Sequence, residues 1–176
     1  MRAVVLRGPP CGGKSKVAGE LKKQLTSSSA LVSLDEGWGR DEKRFRDDGR
    51  YSDLISPVDT LIVELGFGEP IGESFHGATR DPGAWLRVLR EAGRSVKLFL
   101  LKPPVHEVFK RISIDRHPRQ QEYFRCAALR YENGGVCTHE VFEERIGSAY
   151  SELVIDTSRE SKEMTAARIL QEIGGA

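Results

Sequence analysis

Long apolar runs and an excess of charge of one sign are both missing from this chain of 176 residues. Its apolar stretches are short, such as Leu98–Leu101, whereas a membrane-spanning helix needs about 20 apolar residues in succession. We therefore expect no membrane partner. The first apolar run, Ala3–Leu6, is also too short for the apolar region of a signal peptide.

Cysteine is scarce, since the chain has three, dispersed without the Cys-x-x-Cys spacing of a zinc site. An odd, scattered set argues against a disulfide framework and indicates a reducing compartment, so we expect a cytoplasmic protein. The formal net charge of +1 argues against a nucleic-acid binder that relies on overall positive charge. A local basic patch is still compatible with that value.

Short apolar runs alternate with longer helical patterns along the chain. The predicted strands are Ala3–Leu6, Ala30–Leu34, Leu61–Leu65, Val96–Leu101 and Leu153–Ile155. The predicted helices are Lys14–Leu25, Pro82–Glu91, Val105–Ile114, Gln120–Tyr131, His139–Tyr150 and Lys162–Ile173. Continuous apolar runs are typical of strands covered on both faces. The pattern predicts one α/β domain over residues 1–176, a three-layer α/β/α sandwich with a five-stranded parallel sheet.

One segment carries a specific motif, because Gly8–Ser15 reads GPPCGGKS and fits GxxxxGK[ST] at every fixed position. It follows the first predicted strand and precedes the first predicted helix, a context that disfavours a chance glycine-rich turn. Such a loop turns backbone N–H groups toward an anionic phosphate, and the helix N-terminus adds a positive dipole end. The residues predicted to bind a nucleotide are Gly8, Cys11, Gly12, Gly13, Lys14, Ser15 and Lys16.

The individual side chains of this phosphate loop (Gly8–Ser15) have separate expected tasks. Lys14 would reach the β- and γ-phosphates, and the hydroxyl of Ser15 would ligate Mg²⁺. Cys11 is interpreted as a spacer that points away from the phosphates. We therefore expect ATP and Mg²⁺ as the cofactors.

With this loop in this place, the chain resembles the P-loop kinases built like adenylate kinase, shikimate kinase and gluconate kinase. Chloramphenicol phosphotransferase, polynucleotide kinase and the zeta toxins share that architecture. The resemblance covers the element order of nearly the whole chain, but only the phosphate loop is specific in sequence. It implies a P-loop NTPase fold of the nucleoside monophosphate kinase type with a small lid at about residues 111–135. It also implies that the turn Ile155–Ser158 lies near the adenine.

Two acidic residues at strand ends are candidate site residues. Asp35 follows the second predicted strand, where a carboxylate can orient or deprotonate an acceptor hydroxyl, and the resembling kinases have an Asp at this place. The alternative for Asp35 is a helix N-cap or a solvated acid. Glu64 interrupts an apolar strand and therefore needs a partner. We place it among the substrate-binding residues, while a role in holding a Mg²⁺-bound water or in pairing with an arginine stays open.

Several further residues are predicted to line the acceptor and the transferred phosphoryl group. Gly66 begins a glycine-containing loop after the third strand, and Arg80 precedes a helix, so both are candidate substrate-binding residues. The alternatives are an ordinary turn and a surface arginine. The resemblance implies lid arginines that neutralise charge on the transferred group, with Arg116 as the first choice and Arg111 as the second. A helical face of solvated arginines would look similar.

Together these features predict an ATP-dependent phosphotransferase that moves the γ-phosphate to a hydroxyl of a small molecule. In this hypothesis Lys14, Asp35, Arg111 and Arg116 are the catalytic residues. One alternative is a nucleotide or polynucleotide 5′-hydroxyl kinase, although acidic residues interrupt the arginine-rich stretches 40–50 and 111–130. Another is a nucleotide-binding regulatory module without acceptor phosphorylation. We expect a monomer or a homodimer.

Overall fold

The computed structural model of the chain describes residues 1–33, 56–65, 82–132 and 150–174. Within these ranges the elements are β1 (Arg2–Arg7), α1 (Lys14–Gln24), β2 (Ser29–Ser33), β3 (Thr60–Glu64), α2 (Pro82–Glu91), β4 (Ser95–Leu101), α3 (Val105–Asp115), α4 (Pro118–Glu132), β5 (Glu152–Ile155) and α5 (Lys162–Glu172). The predicted helix His139–Tyr150 lies outside the described residues except for Tyr150. None of the helices in the described ranges is both long and apolar enough to cross a membrane.

The five strands form one parallel sheet in the order β2-β3-β1-β4-β5. This arrangement confirms the predicted α/β fold with a five-stranded parallel sheet. The chain builds β2 and β3 on one side of β1 and then β4 and β5 on the other, so the strand order reverses at β1. Ligand crevices of open parallel sheets lie beyond the carboxyl ends of the strands at such a point. The fold therefore places Gly8, which follows β1, at the edge where a ligand is expected.

Helices cover both faces of the sheet because successive strand residues point to opposite faces and both sets are apolar. On one face, Val4 and Leu6 of β1 pack with α1 and α5, and on the other, Ala3 and Val5 pack with α2. The helix residues in these two cores are Val17, Ala18, Leu21, Ala166 and Ile169 on the first face, and Leu86, Val88 and Leu89 on the second. Burial on both faces explains why the strands read as continuous apolar runs.

The helices α1 and α5 begin in different ways. Helix α5 has an ordinary N-cap, since the Ser161 hydroxyl accepts a hydrogen bond of 3.3 Å from the backbone N–H of Met164. Helix α1 instead follows Gly13, which has φ 103° and no side chain to cap the helix. The glycine therefore leaves the first backbone N–H groups of α1 without a side-chain acceptor from its own cap, as an anion site at a helix N-terminus requires.

A buried ion pair anchors the carboxyl end of β1. The guanidinium of Arg7 donates through Nε and Nη2 to the two carboxylate oxygens of Glu152 on β5, and the Nη2–Oε2 distance is 2.8 Å. Both side chains are fully buried. Two parallel hydrogen bonds match the planar fork of arginine to a carboxylate. This pair holds the residue that directly precedes the phosphate loop.

We expect Glu152→Leu alone to lower the free energy of unfolding by about 3–5 kcal/mol, because Arg7 then loses its carboxylate in the protein interior. The free energy of unfolding should fall clearly less in the double variant Arg7→Met/Glu152→Leu, since this variant removes both charges. Urea unfolding followed by circular dichroism measures both. The control is Lys23→Ala, whose side chain is 70% exposed and whose loss should change stability by less than about 0.5 kcal/mol. Equal losses in the single and double variants would contradict the role of the pair.

Candidate active site

The phosphate loop presses against the carboxyl end of β4. A Cβ atom on Gly8, which has φ 150°, would collide with the backbone oxygen of Leu101. A Cβ on Gly12 would lie 2.9 Å from the oxygen of Pro9 and 3.1 Å from that of Leu101. Only glycine allows so close an approach of two backbones. Gly8, the first fixed glycine of the motif, is therefore a packing requirement of this sheet.

Lys14 places its ammonium group inside the phosphate loop. Its side chain is buried, and Nζ donates to the carbonyl oxygens of Gly8 at 3.0 Å and Pro9 at 3.3 Å. The N–H of Gly12 also donates to the Pro9 oxygen at 3.0 Å, which tightens the turn. The structure thus brings a positive charge to the loop, where the motif predicts it.

Ser15 and Glu64 meet beside the phosphate loop. Glu64 is the last residue of β3 and pairs in register with Leu6 of β1, so its side chain reaches the start of α1. The Ser15 hydroxyl donates to Glu64 Oε2 at 2.8 Å, and Glu64 is only 4% exposed. This contact shows how the strand accommodates an acidic residue among apolar neighbours.

The donor chemistry at this point suits Mg²⁺. A hydroxyl and a carboxylate are hard oxygen ligands, and Mg²⁺ with nucleotides usually takes one or two protein oxygens while phosphates and waters supply the rest. Across the described part of the chain, no three His, Cys, Asp or Glu side chains cluster as a complete metal cage. Ser15 and Glu64 therefore fit a metal ion that shares its ligands with a phosphate.

Arg111 of α3 lies over the phosphate loop. Its Nη1 donates to the carbonyl oxygen of Cys11 at 3.4 Å and lies 3.9 Å from the position of a Cβ on Gly13. Its Nη2 donates to the backbone oxygen of Thr157 at 3.0 Å, and its Nε lies 3.5 Å from Glu107 Oε1. The guanidinium is therefore held next to the place where phosphates would bind.

Arg116, the first choice for the lid arginine, lies elsewhere. It follows the last residue of α3, more than one helical turn beyond Arg111. Its guanidinium carbon lies 4.5 Å from the centroid of the Phe124 ring of α4, and the residue is exposed. The structure thus brings Arg111 and not Arg116 to the phosphate loop. A role for Arg116 in the lid stays a prediction.

One side of α3 carries charged residues at four-residue spacing, and these make ion pairs within α3 and with the start of α1. Glu107 and Arg111 pair within the helix, and Asp115 Oδ2 lies 3.6 Å from Lys16 Nζ at the start of α1.

The neighbouring apolar cluster of α3 and α4 contains Val108, Ile112 and Ala128, with Phe109 and Phe124 packed against it. Cys11 also packs against this cluster, with φ 58°. Cys11 thus makes an apolar contact with the α3–α4 cluster, and its interpretation as a spacer stays a prediction.

Thr157 was not predicted as a site residue, yet it contacts the phosphate loop directly. Its hydroxyl donates to the carbonyl oxygen of Gly12 at 2.9 Å, and the residue is 7% exposed. Thr157 follows β5, and β5 ends at the same edge of the sheet as β1. That placement after a strand was the available sequence signal, although the resemblance pointed to the adenine.

The carboxylate of Asp156 orders the turn that carries Thr157. Its Oδ1 accepts hydrogen bonds from the backbone N–H of Ser158 at 2.9 Å and from the Ser158 hydroxyl at 2.6 Å. Burial raises the pKa of Asp156, but these bonds and the charges of Arg159 and Arg111 outweigh burial and hold the pKa below its ordinary value. Asp156 is therefore ionised at neutral pH, and its support of the turn is lost only as the pH falls through the lowered pKa.

Three predicted site residues, Asp35, Gly66 and Arg80, lie outside the described residues. Their roles stay predictions. The boundaries of the lid are also a prediction, since α3 and α4 account for only part of the range 111–135.

Comparisons with known proteins support the fold. No protein-family model matches the chain, and no curated protein matches it. Among solved structures, YorR from Bacillus subtilis in complex with phosphorylated GDP is similar with a TM-score of 0.63 and 16% identity, over 98% of this chain and 95% of YorR. The shikimate kinase of Acinetobacter baumannii in complex with shikimate has a TM-score of 0.54 and 16% identity, over 98% of this chain and 93% of the kinase.

A third similar structure is the Deinococcus radiodurans tunicamycin resistance protein, with a TM-score of 0.54 and 17% identity over 100% of this chain and 98% of that protein. Identities this low show a shared fold. The chain therefore shares the fold of these solved structures, which include a shikimate kinase, and no single subfamily among them is distinguished.

We expect Gly8→Ala to destabilise the protein by about 2 kcal/mol or more and to abolish the nucleotide binding that the motif predicts, because the new methyl group collides with the backbone of β4. The matched control is Gly19→Ala in α1, where a Cβ meets no atom within 4 Å. That change should stabilise the helix by about 0.5–1 kcal/mol. Thermal unfolding and ATP titration calorimetry measure both variants. An unaltered ATP affinity in Gly8→Ala would show that the loop does not depend on this close approach.

Proposed function

We propose that this protein is an ATP-dependent phosphotransferase that moves the γ-phosphate of ATP to a hydroxyl of a small molecule. The observation that carries the proposal is the phosphate loop at the switch point of the sheet, with Lys14 inside it and the Ser15–Glu64 pair beside it. These groups supply the three parts that phosphoryl transfer needs, namely a phosphate cradle, a positive charge and a metal position.

The phosphates would be bound by the first N–H groups of α1 and by Lys14. The ammonium of Lys14 now donates to two loop carbonyls, and it would exchange these contacts for β- and γ-phosphate oxygens. Arg111 would add a second positive charge near Gly13. Charge spreads over the transferred group in the transition state, so preorganised positive groups lower the barrier.

Ser15 and Glu64 would hold Mg²⁺ beside the phosphates, directly or through water. When bound, this ion neutralises charge on the β- and γ-phosphate oxygens. Glu64 is held by the Ser15 hydroxyl at the end of β3, and this geometry favours the metal role over the direct substrate role expected for Glu64.

The acceptor would lie at the same edge of the sheet. Ser33 of β2 pairs in register with Glu64 of β3, and Asp35 follows Ser33 by two residues in the sequence. We propose that Asp35 orients or deprotonates the acceptor hydroxyl. Gly66 and Arg80 would border the acceptor. The shikimate kinase with its bound shikimate supports a small hydroxylated acceptor.

We also propose that the protein works in the cytoplasm, because its three cysteines are scattered and the two within the described ranges are free thiols. Its oligomeric state is proposed to be a monomer or a homodimer.

We expect transfer of labelled γ-phosphate from ATP, in the presence of Mg²⁺, to one class of small hydroxylated acceptor. The panel contains sugars, hydroxylated antibiotics, nucleosides and oligonucleotides with a 5′-hydroxyl. Asp35→Ala and Lys14→Ala should each lower the rate by about 100-fold or more, since each removes a positioned catalytic group. The control is Asp59→Ala, which removes an exposed aspartate that bonds Ser28 at 3.2 Å near the amino end of β3.

Each outcome of this assay has a clear meaning. Transfer only to oligonucleotides or nucleosides would replace the small-molecule acceptor by the nucleotide and polynucleotide alternative. Tight ATP binding with no transfer to any acceptor, and with nucleotide turnover unchanged in Asp35→Ala, would favour a regulatory module instead.

We expect Glu64→Gln to raise the Mg²⁺ concentration needed for half-maximal transfer by about 10- to 100-fold, because the amide keeps the shape but loses the charge. Binding of ATP at saturating Mg²⁺ should change little. Titration of Mg²⁺ at fixed ATP measures the effect. Glu163→Gln on the exposed side of α5 is the control. An unchanged Mg²⁺ requirement together with a raised KM for the acceptor would assign Glu64 to the substrate.

A further inference from the structure

Three separate parts of the chain meet at Thr157. The turn after β5 carries the threonine, the phosphate loop offers the carbonyl oxygen of Gly12, and α3 contributes Arg111. The Thr157 hydroxyl donates to Gly12 O at 2.9 Å and accepts from Arg111 Nη1 at 3.4 Å. The backbone oxygen of Thr157 accepts from Arg111 Nη2 at 3.0 Å. The contact between Thr157 and Gly12 joins residues that are 145 positions apart in the sequence.

The contact to Gly12 determines the direction of one peptide group in the phosphate loop. A trans peptide is planar, and its C=O and N–H bonds point in opposite directions. The carbonyl of Gly12 points to Thr157, so the N–H of Gly13 in the same peptide points the other way. Gly13 is the N-cap residue directly before α1, and the N–H groups at that end of a helix are the ones that bind an anion.

Two charged residues, Glu107 and Arg111, orient the hydroxyl of Thr157 through a series of contacts. Glu107 lies 3.5 Å from Nε of Arg111, which in turn donates to the Thr157 hydroxyl and leaves that hydroxyl oriented to donate to Gly12. The Thr157 hydroxyl accepts one hydrogen bond and donates the next, and hydrogen bonds linked in this way polarise one another. A hydroxyl has a single proton, and Thr157 already uses it on the loop. That proton is therefore committed to the phosphate loop and not to a nucleotide base.

We propose that Thr157 is a positioning residue of the phosphate loop, whose hydroxyl holds the Gly12–Gly13 peptide so that the Gly13 N–H faces the bound phosphates. The proposal rests on the proposed function, since it assumes that the loop binds the phosphates of a nucleotide. It assigns to Thr157 a share in phosphate affinity and not in recognition of the base.

The test compares two variants of Thr157 with a matched control. Thr157→Val keeps the shape and removes the hydroxyl, while Thr157→Ser keeps the hydroxyl. The control is Thr60→Val, because Thr60 is also buried and its hydroxyl accepts from Arg2 Nε at 2.8 Å, but it lies at the amino end of β3. Calorimetry measures the affinities of ATP, inorganic tripolyphosphate and adenosine for each protein, and thermal unfolding measures stability.

We expect Thr157→Val to weaken the binding of ATP and of tripolyphosphate by about tenfold each, which corresponds to about 1.4 kcal/mol. The affinity for adenosine should be unchanged. Thr157→Ser should restore most of the phosphate affinity. Thr60→Val should lower the unfolding temperature without changing any of the three affinities. The amide signal of Gly13 in a ¹⁵N spectrum should shift on tripolyphosphate binding in the wild type and shift less in Thr157→Val.

Other results overturn the proposal in distinguishable ways. A loss of adenosine affinity with unchanged tripolyphosphate affinity would assign Thr157 to the base. Equal losses of phosphate affinity in Thr157→Val and Thr60→Val would show that Thr157 contributes only to the general stability of the protein. If the wild type binds tripolyphosphate but transfers no phosphate, the proposed kinase function fails while the role of Thr157 is still decided by the variants. If the wild type binds neither ATP nor tripolyphosphate, both proposals fail.

Discussion

The carbonyl oxygens on the outer side of the phosphate loop are held by the surrounding protein, and the candidate site depends on this constraint. Arg111 holds the carbonyl of Cys11, and Thr157 holds that of Gly12. A loop rich in glycine has many accessible conformations, so its order must come from contacts outside it. Because Thr157 holds the carbonyl of Gly12, the N–H of Gly13 in the same peptide is directed elsewhere, where an anion can use it.

The surroundings of the loop are themselves fixed by the sheet. β4 and β5 pair in parallel, so the turn after β5 ends beside the loop, and Gly8 packs directly on Leu101 of β4. The buried pair of Arg7 and Glu152 ties β1 to β5 across β4. These contacts are long-range and buried, and interactions of this kind are stronger and less screened by salt than those at the surface. The phosphate loop is thus positioned by buried contacts with the sheet.

The contact of α3 with the loop combines one half-buried and one exposed polar interaction. Arg111 is half-buried, whereas Lys16 and Asp115 are 71% and 42% exposed in their side chains. Exposed ion pairs contribute about 0–1 kcal/mol, so the docking of α3 depends mainly on Arg111 and on the apolar contact with Cys11.

Features that depend on neighbouring residues could be predicted from the sequence alone. The GPPCGGKS motif, the apolar runs of the strands and the helical spacing of α1 are local patterns, and they predicted the phosphate loop, the parallel sheet and the element order. The motif also predicts roles for Lys14 and Ser15, and the structure places Lys14 Nζ against the Gly8 carbonyl and the Ser15 hydroxyl against Glu64. Local sequence was sufficient here because backbone conformation and strand burial follow from residues close together in the chain.

Which distant side chains meet depends on the tertiary fold and could not be predicted from the sequence. Glu64 had three open roles in the sequence, and the register of β3 beside β1 brought it to Ser15. Thr157 carried no motif of its own, and the choice between Arg111 and Arg116 depended on where α3 lies against the loop. Hydrogen bonds and ion pairs between such residues depend on distances of a few ångströms. Those distances are set by strand order and helix packing, which no local pattern records.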